Sequence, residues 1–147
     1  MCGNTVEAVD QFCYLGSEIS SSQGFLSEQV RRIGIASSAM KRLSKIWQQS
    51  SLSQATKLRL YMALIVPVPL HASETLTLSK ADSARLKAFH MRCQRQILGV
   101  HWYNKRRNTE IAEQTGLEHI GTLIQRRRNS IFGHVVRMTP NAPTHKA

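Results

Sequence analysis

The sequence predicts a mainly α-helical fold with a small N-terminal β-hairpin, and three observations carry this prediction. Apolar residues recur at helical spacing in separate stretches between residues 27 and 139. Serine residues precede several of these stretches, where helix N-caps are expected. Before residue 27, a short aromatic and aliphatic segment is followed by a turn rich in serine and glycine, which is typical of a strand.

The hairpin is predicted within residues 1–26. Phe12–Ile19 has the composition of a strand, and the run from Ser20 to Gly24 is typical of a turn. Thr5–Val9 is the candidate partner strand. Because two strands alone are marginal in water, we expect this hairpin to pack on a helix.

The first helix is predicted to run from an N-cap at Ser27 to about Trp47. Its apolar stripe consists of Val30, Ile33, Ala36, Met40, Leu43 and Trp47. The basic residues of its opposite face are Arg31, Lys41, Arg42 and Lys45. A basic face is most simply a solvated surface, but no acidic residue lies between Glu28 and Glu74. Because solvated faces usually mix both signs of charge, this run favours contact with phosphates.

Two further helices are predicted before residue 100. The second follows an N-cap at Ser53 and stops or kinks near Pro67. Its predicted inward residues are Leu58, Tyr61, Leu64 and Ile65. The third follows a capping box formed by Ser79 and Asp82, and it ends at Gly99. Its predicted core residues are Leu86, Phe89, Cys93 and Ile97, with Leu98 at the margin.

The rest of the chain is predicted to hold a short helix, a longer helix and a loose tail. The short helix is capped by Asn108 or Thr109 and ends at Gly116. The last helix spans roughly residues 123–138. Its core candidates are Leu123, Ile124, Ile131, Phe132, Val135 and Met138. Residues 140–147 are expected to be loose, as chain ends usually are.

The charge of the chain points to a polyanionic partner. Among 147 residues there are 20 Lys and Arg against 9 Asp and Glu, for a formal net charge of +11. Residues 1–29 contain no Lys or Arg, so the excess lies on the helical part. We expect RNA, DNA or an RNA–DNA hybrid as the partner, although an acidic protein or membrane surface attracts the same charge.

The location predicted from the sequence is nuclear or cytoplasmic. The longest apolar run, Met62–Leu70, is too short to cross a bilayer, and no signal peptide is visible. The three cysteines are widely spaced, without a Cys-x-x-Cys motif, which indicates reduced thiols. We therefore expect a protein that is not secreted, has no transmembrane segment and has no membrane partner.

Two clusters combine residue types that suit nucleic acid. The first mixes aromatic and basic residues, namely Trp102, Tyr103, Lys105, Arg106 and Arg107. Aromatic rings stack on bases while cations hold phosphates, although a buried Trp102 beside a solvated loop explains this cluster about as well. The second cluster is Arg126, Arg127 and Arg128, whose guanidinium forks suit phosphate oxygens.

Nothing in the sequence predicts an enzyme, a metal site or a cofactor. No nucleophile–base pair, paired carboxylates or glycine-rich phosphate loop stands out. His90 and Cys93 have helical spacing, but they lack the further ligands that zinc requires. We therefore expect no catalytic residue, no metal, no cofactor and no small-molecule substrate.

An ordered series of short motifs carries a family resemblance. The series runs through Phe12–Gly16, Ser50–Ser53, Thr56–Tyr61, Glu74-Thr75, Leu78–Asp82, Arg95–Gly99, Arg107-Asn108 and Gly133–Met138. In this order it resembles the region that follows the palm in LINE-type non-LTR retrotransposon reverse transcriptases, close to the RTE-like group. The resemblance covers nearly the whole chain.

The resemblance implies a role for each part of the chain. Residues 1–26 would be the end of the palm, with Tyr14, Leu15 and Gly16 in the primer grip at the primer end. Residues 27–139 would be a thumb-like and post-thumb helical bundle that holds the template–primer duplex by its backbone. The family's metal-binding aspartates and endonuclease residues have no counterpart here, so we expect a truncated fragment without catalysis.

Departures from the family pattern support an alternative. The family usually has glycine at the place of Ala72, tryptophan at that of Leu76 and an aliphatic residue at that of Pro69. Such changes look like decay, because they strain a turn or leave a cavity. The chain would then be a relic open reading frame without autonomous function, or a fragment that folds only with its palm. An unrelated basic protein, ribosomal or chromatin-associated, is the remaining alternative, against which the motif order argues.

Overall fold

The computed structural model describes residues 11–14, 17–20, 24–71, 73 and 78–137. Their elements in chain order are the strands β1 (Gln11–Tyr14) and β2 (Ser17–Ser20) and the helices α1 (Gly24–Arg42), α2 (Ser44–Gln48), α3 (Gln54–Leu60), α4 (Lys80–Ile97), α5 (Asn108–Thr115) and α6 (Ile120–Arg137). A π-helical turn, Tyr61–Ile65, continues α3, and a 3₁₀ turn, Trp102–Asn104, precedes α5. The mainly α-helical prediction is therefore confirmed.

The two strands pair with each other antiparallel, with Gln11 opposite Ser20 and Tyr14 opposite Ser17. The hairpin predicted between Thr5–Val9 and Phe12–Ile19 is not supported. Its first strand lies outside the described residues, and its predicted second strand contains residues of both β1 and β2. Leu15 and Gly16 of the predicted primer grip, and the tail at residues 140–147, also lie outside the described residues.

Helix α4 is the centre of the helical bundle. It contacts α1, α2, α3, α5 and α6. The apolar side chains that it buries lie three or four residues apart, on one face of the helix: Leu86, Phe89, Cys93 and Ile97. All four were predicted as core, and the partly buried Leu98 lies at the margin as expected.

The opposite side of the core comes from α1, α2, α3, the π-helical turn with the residues that follow it, and α6. Its buried apolar residues are Ala36, Met40, Trp47, Leu58, Tyr61, Ile65, Val66, Leu70, Ile120 and Ile124. The first six of these and Ile124 follow the apolar spacing read from the sequence. Helical periodicity therefore located most of the core.

The predicted helix caps at two serines are confirmed. The Ser53 hydroxyl accepts the backbone N–H of Thr56 at 3.2 Å, and α3 begins one residue later than this cap. The Ser79 hydroxyl accepts the backbone N–H of Asp82 at 3.0 Å and donates to the Asp82 carboxylate at 2.6 Å. Each cap satisfies an N–H group that the first helical turn leaves without a backbone partner.

The first predicted helix is wrong at both ends. Helix α1 begins at Gly24, three residues before the predicted cap at Ser27, and it ends at Arg42. A break at Leu43 separates α2, and the indole N–H of Trp47 donates to the carbonyl oxygen of Met40 at 2.9 Å. This bond replaces a backbone bond of the last turn of α1 and holds α2 against it.

Four residues predicted as core are exposed instead. Val30 is 50% exposed, Leu64 52%, Ile131 41% and Phe132 71%. Leu64 lies in the π-helical turn, where the N–H of Val66 bonds the carbonyl of Tyr61 five residues back. Because this wider turn changes the helical period, Leu64 rotates out of the apolar face.

The chain after the π-helical turn forms a turn at residues 66–71 and 73, which we call the carbonyl turn. The side-chain amide of Gln29 donates to the carbonyl of Pro69 at 3.0 Å, and Arg32 donates to that of His71. Both donors are buried on α1. Because the helix cannot continue regularly through two prolines, side chains satisfy the carbonyls that a helix would have used.

Candidate nucleic-acid interface

An open groove of about 750 Å³ lies between α2 and the segment that follows α4. It is lined by Ser44, Trp47, Gln48, Arg92, Arg95, Gln96, Gly99, Val100, His101, Lys105 and Arg106. Four of these residues are basic and none is acidic. We call this the basic groove. A wall with one sign of charge raises the local concentration of a polyanion.

The end of α4 builds one wall of the basic groove. Arg92 and Arg95 are three residues apart on this helix and therefore lie on neighbouring positions of one face. Gly99 follows with φ +66°, the left-handed conformation that glycine adopts without strain, and it ends the helix as predicted. The chain then turns back, so that Lys105 and Arg106 reach the same groove.

Arg95 and Arg106 hold the loop in place. The Arg95 guanidinium donates to the carbonyl of Arg106 at 2.6 Å and to the side-chain oxygen of Asn108 at 3.0 Å. Arg106 in turn donates to the side chains of Gln114, at 2.7 Å, and Glu110, at 3.4 Å. Asn108 was predicted as a possible cap of α5, but Arg107 occupies the N-cap position. The side-chain amide oxygen of Asn108 accepts a hydrogen bond from Arg95 instead.

Arg92 and Lys105 are the cations best placed to meet a phosphate. Both side chains are exposed. Within the described residues, neither side chain forms a hydrogen bond or an ion pair. Lys105 also has a positive φ of 48°, which is unusual for a residue with a Cβ atom.

An aromatic pair lies at the edge of the groove. The rings of His101 and Tyr103 are stacked, with centroids 5.1 Å apart and an angle of 10° between their planes. His101 lines the groove, and Tyr103 is 60% exposed. Trp102 lies between them in the 3₁₀ turn, and its side chain is outside the described part of the structure.

The basic residues predicted on the first helix divide into two groups. Lys41, Arg42 and Lys45 are exposed, and Lys45 belongs to α2, which supplies one side of the groove. Arg31 instead donates to both carboxylate oxygens of the buried Glu28, at 2.9 and 3.0 Å. Its guanidinium is therefore already engaged within the protein.

Burial raises the pKa of Glu28, but hydrogen bonds from Arg31 and Arg32 and their positive charge lower it by more, so its pKa lies below the ordinary value. Arg32, which lies 2.5 Å from this carboxylate, was not predicted as a functional residue. Arg32 links Glu28 on α1 to the carbonyl turn. Because its side chain is only 5% exposed, Arg32 offers no surface on which an anion could bind.

The three arginines of α6 also have partners within the protein. Arg127 donates to the carbonyl of Leu70 at 3.1 Å, and Arg128 donates to that of Ser73 at 3.3 Å. Both carbonyls belong to the carbonyl turn. Arg126 pairs with Glu118, and its side chain is 66% exposed. Arg127 and Arg128 therefore attach α6 to the core, and their contact with phosphates stays a prediction.

A buried polar cluster lies inside the bundle, away from the basic groove. The phenol oxygen of Tyr61 lies 2.7 Å from Nδ1 of His90, and Nε2 of His90 lies 3.2 Å from the carbonyl of Glu118. Burial lowers the pKa of His90 and raises the pKa of Cys93 to about 12. A thiol that stays protonated is a poor nucleophile, so Cys93 acts here as a packing residue.

The described residues contain neither a metal-binding cluster nor a membrane-spanning helix. No group of three or more His, Cys, Asp and Glu side chains there could hold a metal ion. Among the helices described, none is both long and apolar enough to cross a bilayer.

The candidate interface was only partly visible in the sequence. Lys105 and Arg106 line the groove as part of the predicted cluster, and Tyr103 stands at its edge. Arg92 and Arg95 were not predicted, although their three-residue spacing and the glycine that ends their helix were a usable signal. The contribution of α2 depends on the break at Leu43, which the apolar pattern does not reveal.

The chain is similar to an uncharacterized transposon-derived protein of Caenorhabditis elegans. The two are 24% identical over 136 residues, which make up 90% of this chain and 48% of that protein. The chain therefore spans about half the length of the curated relative it matches. No protein-family model and no solved structure matches the chain.

Proposed function

We propose that the chain is a non-catalytic fragment of transposon origin that binds nucleic acid without sequence preference through its basic groove. The observation that carries the proposal is the lining of this groove, which holds four basic residues and no acidic one. Phosphates are the common feature of all nucleic-acid sequences, so cations on a groove wall bind without reading bases.

The four basic residues have different roles in this proposal. Arg95 and Arg106 are held by Asn108, Gln114 and neighbouring backbone, so they shape the groove. Arg92 and Lys105 are exposed and contact the phosphates. Exposed Lys45 on α2 adds charge on the other side. A fixed frame with two available cations limits the ordering cost of binding.

The similarity to a transposon-derived protein supports the origin. The finer form of the proposal is the thumb and post-thumb region of a LINE-type reverse transcriptase, and the motif order supports it. In this form the template–primer duplex, an RNA–DNA hybrid, is the ligand. Nucleotide incorporation on a primed template by the purified chain would contradict the non-catalytic part.

A decayed relic without autonomous function is the second candidate. The exposed apolar residues of α6 favour it, because Phe132 is 71% exposed and Val136 58%. Adjacent exposed apolar side chains of this kind are expected where a covering partner has been lost. In that case the isolated chain folds poorly or does not bind.

The test is binding of the purified chain to a primed RNA–DNA hybrid across a salt series, with far-UV circular dichroism as the check on folding. The binding proposal predicts a helical spectrum and an affinity that falls linearly with salt on a double-logarithmic plot, because phosphate contacts release counterions. A helical chain that binds nothing at low salt would contradict it. An unfolded chain would support the relic.

A further inference from the structure

We infer that Thr109 is a phosphorylation site for a Ser/Thr protein kinase that selects basic substrates, and that a phosphate there weakens nucleic-acid binding in the basic groove. The second part rests on the proposed function and adds its regulation. The first part is independent of it, because phosphate transfer to Thr109 does not require nucleic acid.

Thr109 follows two consecutive arginines at the spacing that such kinases select. The motif is Arg106-Arg107-Asn108-Thr109, which places guanidinium groups three and two positions before the hydroxyl. Carboxylates on a kinase pair with guanidinium groups by charge-assisted hydrogen bonds, and this charge pattern distinguishes a substrate from other exposed hydroxyls. In the transfer, Oγ1 of Thr109 bonds to the γ-phosphorus of ATP, the bond from that phosphorus to ADP breaks, and the hydroxyl proton passes to the catalytic aspartate of the kinase.

The fold leaves Thr109 accessible. Its side chain is exposed, and within the described residues its hydroxyl forms no hydrogen bond. The residues before it are not helical, since Lys105 has a positive φ and Arg107 is extended with ψ 154°. Thr109 lies in the first turn of α5, where the side chain of the N-cap residue Arg107 forms no capping bond. A first turn without a side-chain cap opens more readily, so the segment can extend into a kinase cleft.

Two serines also follow a pair of basic residues, but both motifs lie in packed helices. The pair Lys41-Arg42 precedes Ser44, and the pair Arg127-Arg128 precedes Ser130. Helix α1 ends at Arg42 and α2 begins at the half-buried Ser44, so this motif belongs to two helices that contact each other. The other motif lies wholly inside α6, and both of its arginines donate to the carbonyl turn. We therefore expect the kinase to select Thr109.

A phosphate on Thr109 would lie beside the basic groove. The preceding residue, Asn108, accepts a hydrogen bond from Arg95, which lines the groove. Arg106 also lines it, and three residues of chain place its Cα atom at most about 11 Å from that of Thr109. Charges at this separation interact at low salt, where the Debye length is about 30 Å at 0.01 M. The phosphate carries a charge of about −1.5 to −2 and therefore offsets up to about half of the charge of the four cations in the groove.

The first experiment treats the full chain with ATP and the catalytic subunit of cyclic-AMP-dependent protein kinase, which selects this motif, and locates the phosphate by mass spectrometry. We expect phosphate on Thr109, its loss in Thr109→Ala and its retention in the matched control Ser130→Ala. Circular dichroism confirms that each chain is folded. Phosphate on Ser44 or Ser130 in place of Thr109, or no phosphate on the chain, would overturn the inference.

The second experiment measures binding of an RNA–DNA hybrid at low salt by the phosphorylated chain before and after treatment with a phosphatase. We expect phosphorylation to weaken binding about 5- to 150-fold, the range typical of coupling between two sites, and the phosphatase to restore it. Thr109→Glu should weaken binding, whereas Ser130→Glu, which has the same net charge, should not. Unchanged affinity after phosphorylation of Thr109, or equal effects of the two Glu variants, would overturn the inference. Failure of the unmodified chain to bind would instead contradict the proposed function.

Discussion

The phenol oxygen of Tyr61 and Nδ1 of His90 lie 2.7 Å apart in the core of the bundle, where both side chains are almost fully buried. His90 also faces the carbonyl of Glu118 with Nε2, at 3.2 Å. A neutral imidazole satisfies both contacts when Nε2–H donates to the carbonyl and Nδ1 accepts the phenol proton. The π-helical turn, α4 and the segment before α6 are thereby linked through one ring.

The stability of the protein should fall as the pH is lowered through the histidine range. Burial lowers the pKa of His90 below its ordinary 6.5, so the unfolded chain takes up a proton more readily than the folded one. The stabilisation is complete above about pH 6.5 and is lost as the pH falls towards the folded pKa. Urea unfolding at a series of pH values measures this change.

Two variants separate His90 from other titrating groups. His90→Gln should remove most of the dependence between about pH 7 and pH 5, whereas the exposed His134→Gln should keep it. Glu28 also has a lowered pKa, but its ordinary value is 4.5, so its contribution is lost in a more acidic range. An unchanged pH dependence in His90→Gln would count against the neutral, buried imidazole.

Tyr61→Phe should destabilise the fold by about 1–3 kcal/mol, because Nδ1 of His90 would be left buried without a partner. Urea unfolding at pH 8 measures the loss. The double variant Tyr61→Phe with His90→Leu is the control, since it removes both partners. It should lose less stability than the sum of the two single variants. Additive losses would mean that the two rings do not interact.

Arg32→Met should cost about 3–5 kcal/mol, because it breaks a buried ion pair with Glu28 and leaves the carbonyl of His71 without its donor. Arg31→Met is the matched control. It removes the same charge from the same carboxylate, but 42% of its side chain is exposed, so about 1 kcal/mol is expected. Thermal unfolding compares the two, and equal losses would contradict the structural role of Arg32.

The three adjacent arginines of α6 should differ in their effect on stability. Arg127→Met and Arg128→Met each remove a charged donor from the carbonyl turn and should cost about 1 kcal/mol or more. Arg126→Met breaks an exposed pair with Glu118 and should change the free energy of unfolding by less than about 0.5 kcal/mol. Chemical unfolding of the three variants checks this order. If all three arginines were solvated, the three variants would have the same small effect.

Helical periodicity and capping chemistry predicted the parts of the fold that depend on local sequence. The stripe of α4 from Leu86 to Ile97 and the caps at Ser53 and Ser79 follow from spacing and side-chain type alone. The exposure of Leu64 could not be predicted, because the period changes in the π-helical turn. The break at Leu43 was missed because Trp47 keeps the helical spacing and still packs in the core.

The candidate site was harder to predict because it combines distant segments. The run of three arginines suggested Arg126–Arg128 as phosphate contacts. Two of these arginines instead donate hydrogen bonds to the carbonyls of Leu70 and Ser73, more than 50 positions away in the chain. Conversely, the sequence did not single out Arg92 as a phosphate contact. It lies in the groove because the end of α4 lies beside α2. A run of like charge shows which residues can bind phosphate. Tertiary contacts decide which of these residues are already bonded to other groups of the protein.

In the proposed function, the basic groove holds the nucleic-acid backbone. The most direct measurement is the salt dependence of hybrid binding by the double variant Arg92→Gln/Lys105→Gln. Its matched control is Arg59→Gln/Lys80→Gln, which removes two exposed basic residues outside the groove. Both variants have the same net charge, so a general electrostatic effect would change them equally.

If the groove holds the backbone, the slope of log affinity against log salt should become shallower in the groove variant by about 1.4–1.8, the value for two lost phosphate contacts, while the slope of the control stays close to that of the unmodified protein. Equal slopes for the two variants, with both chains folded by circular dichroism, would contradict this role of the groove.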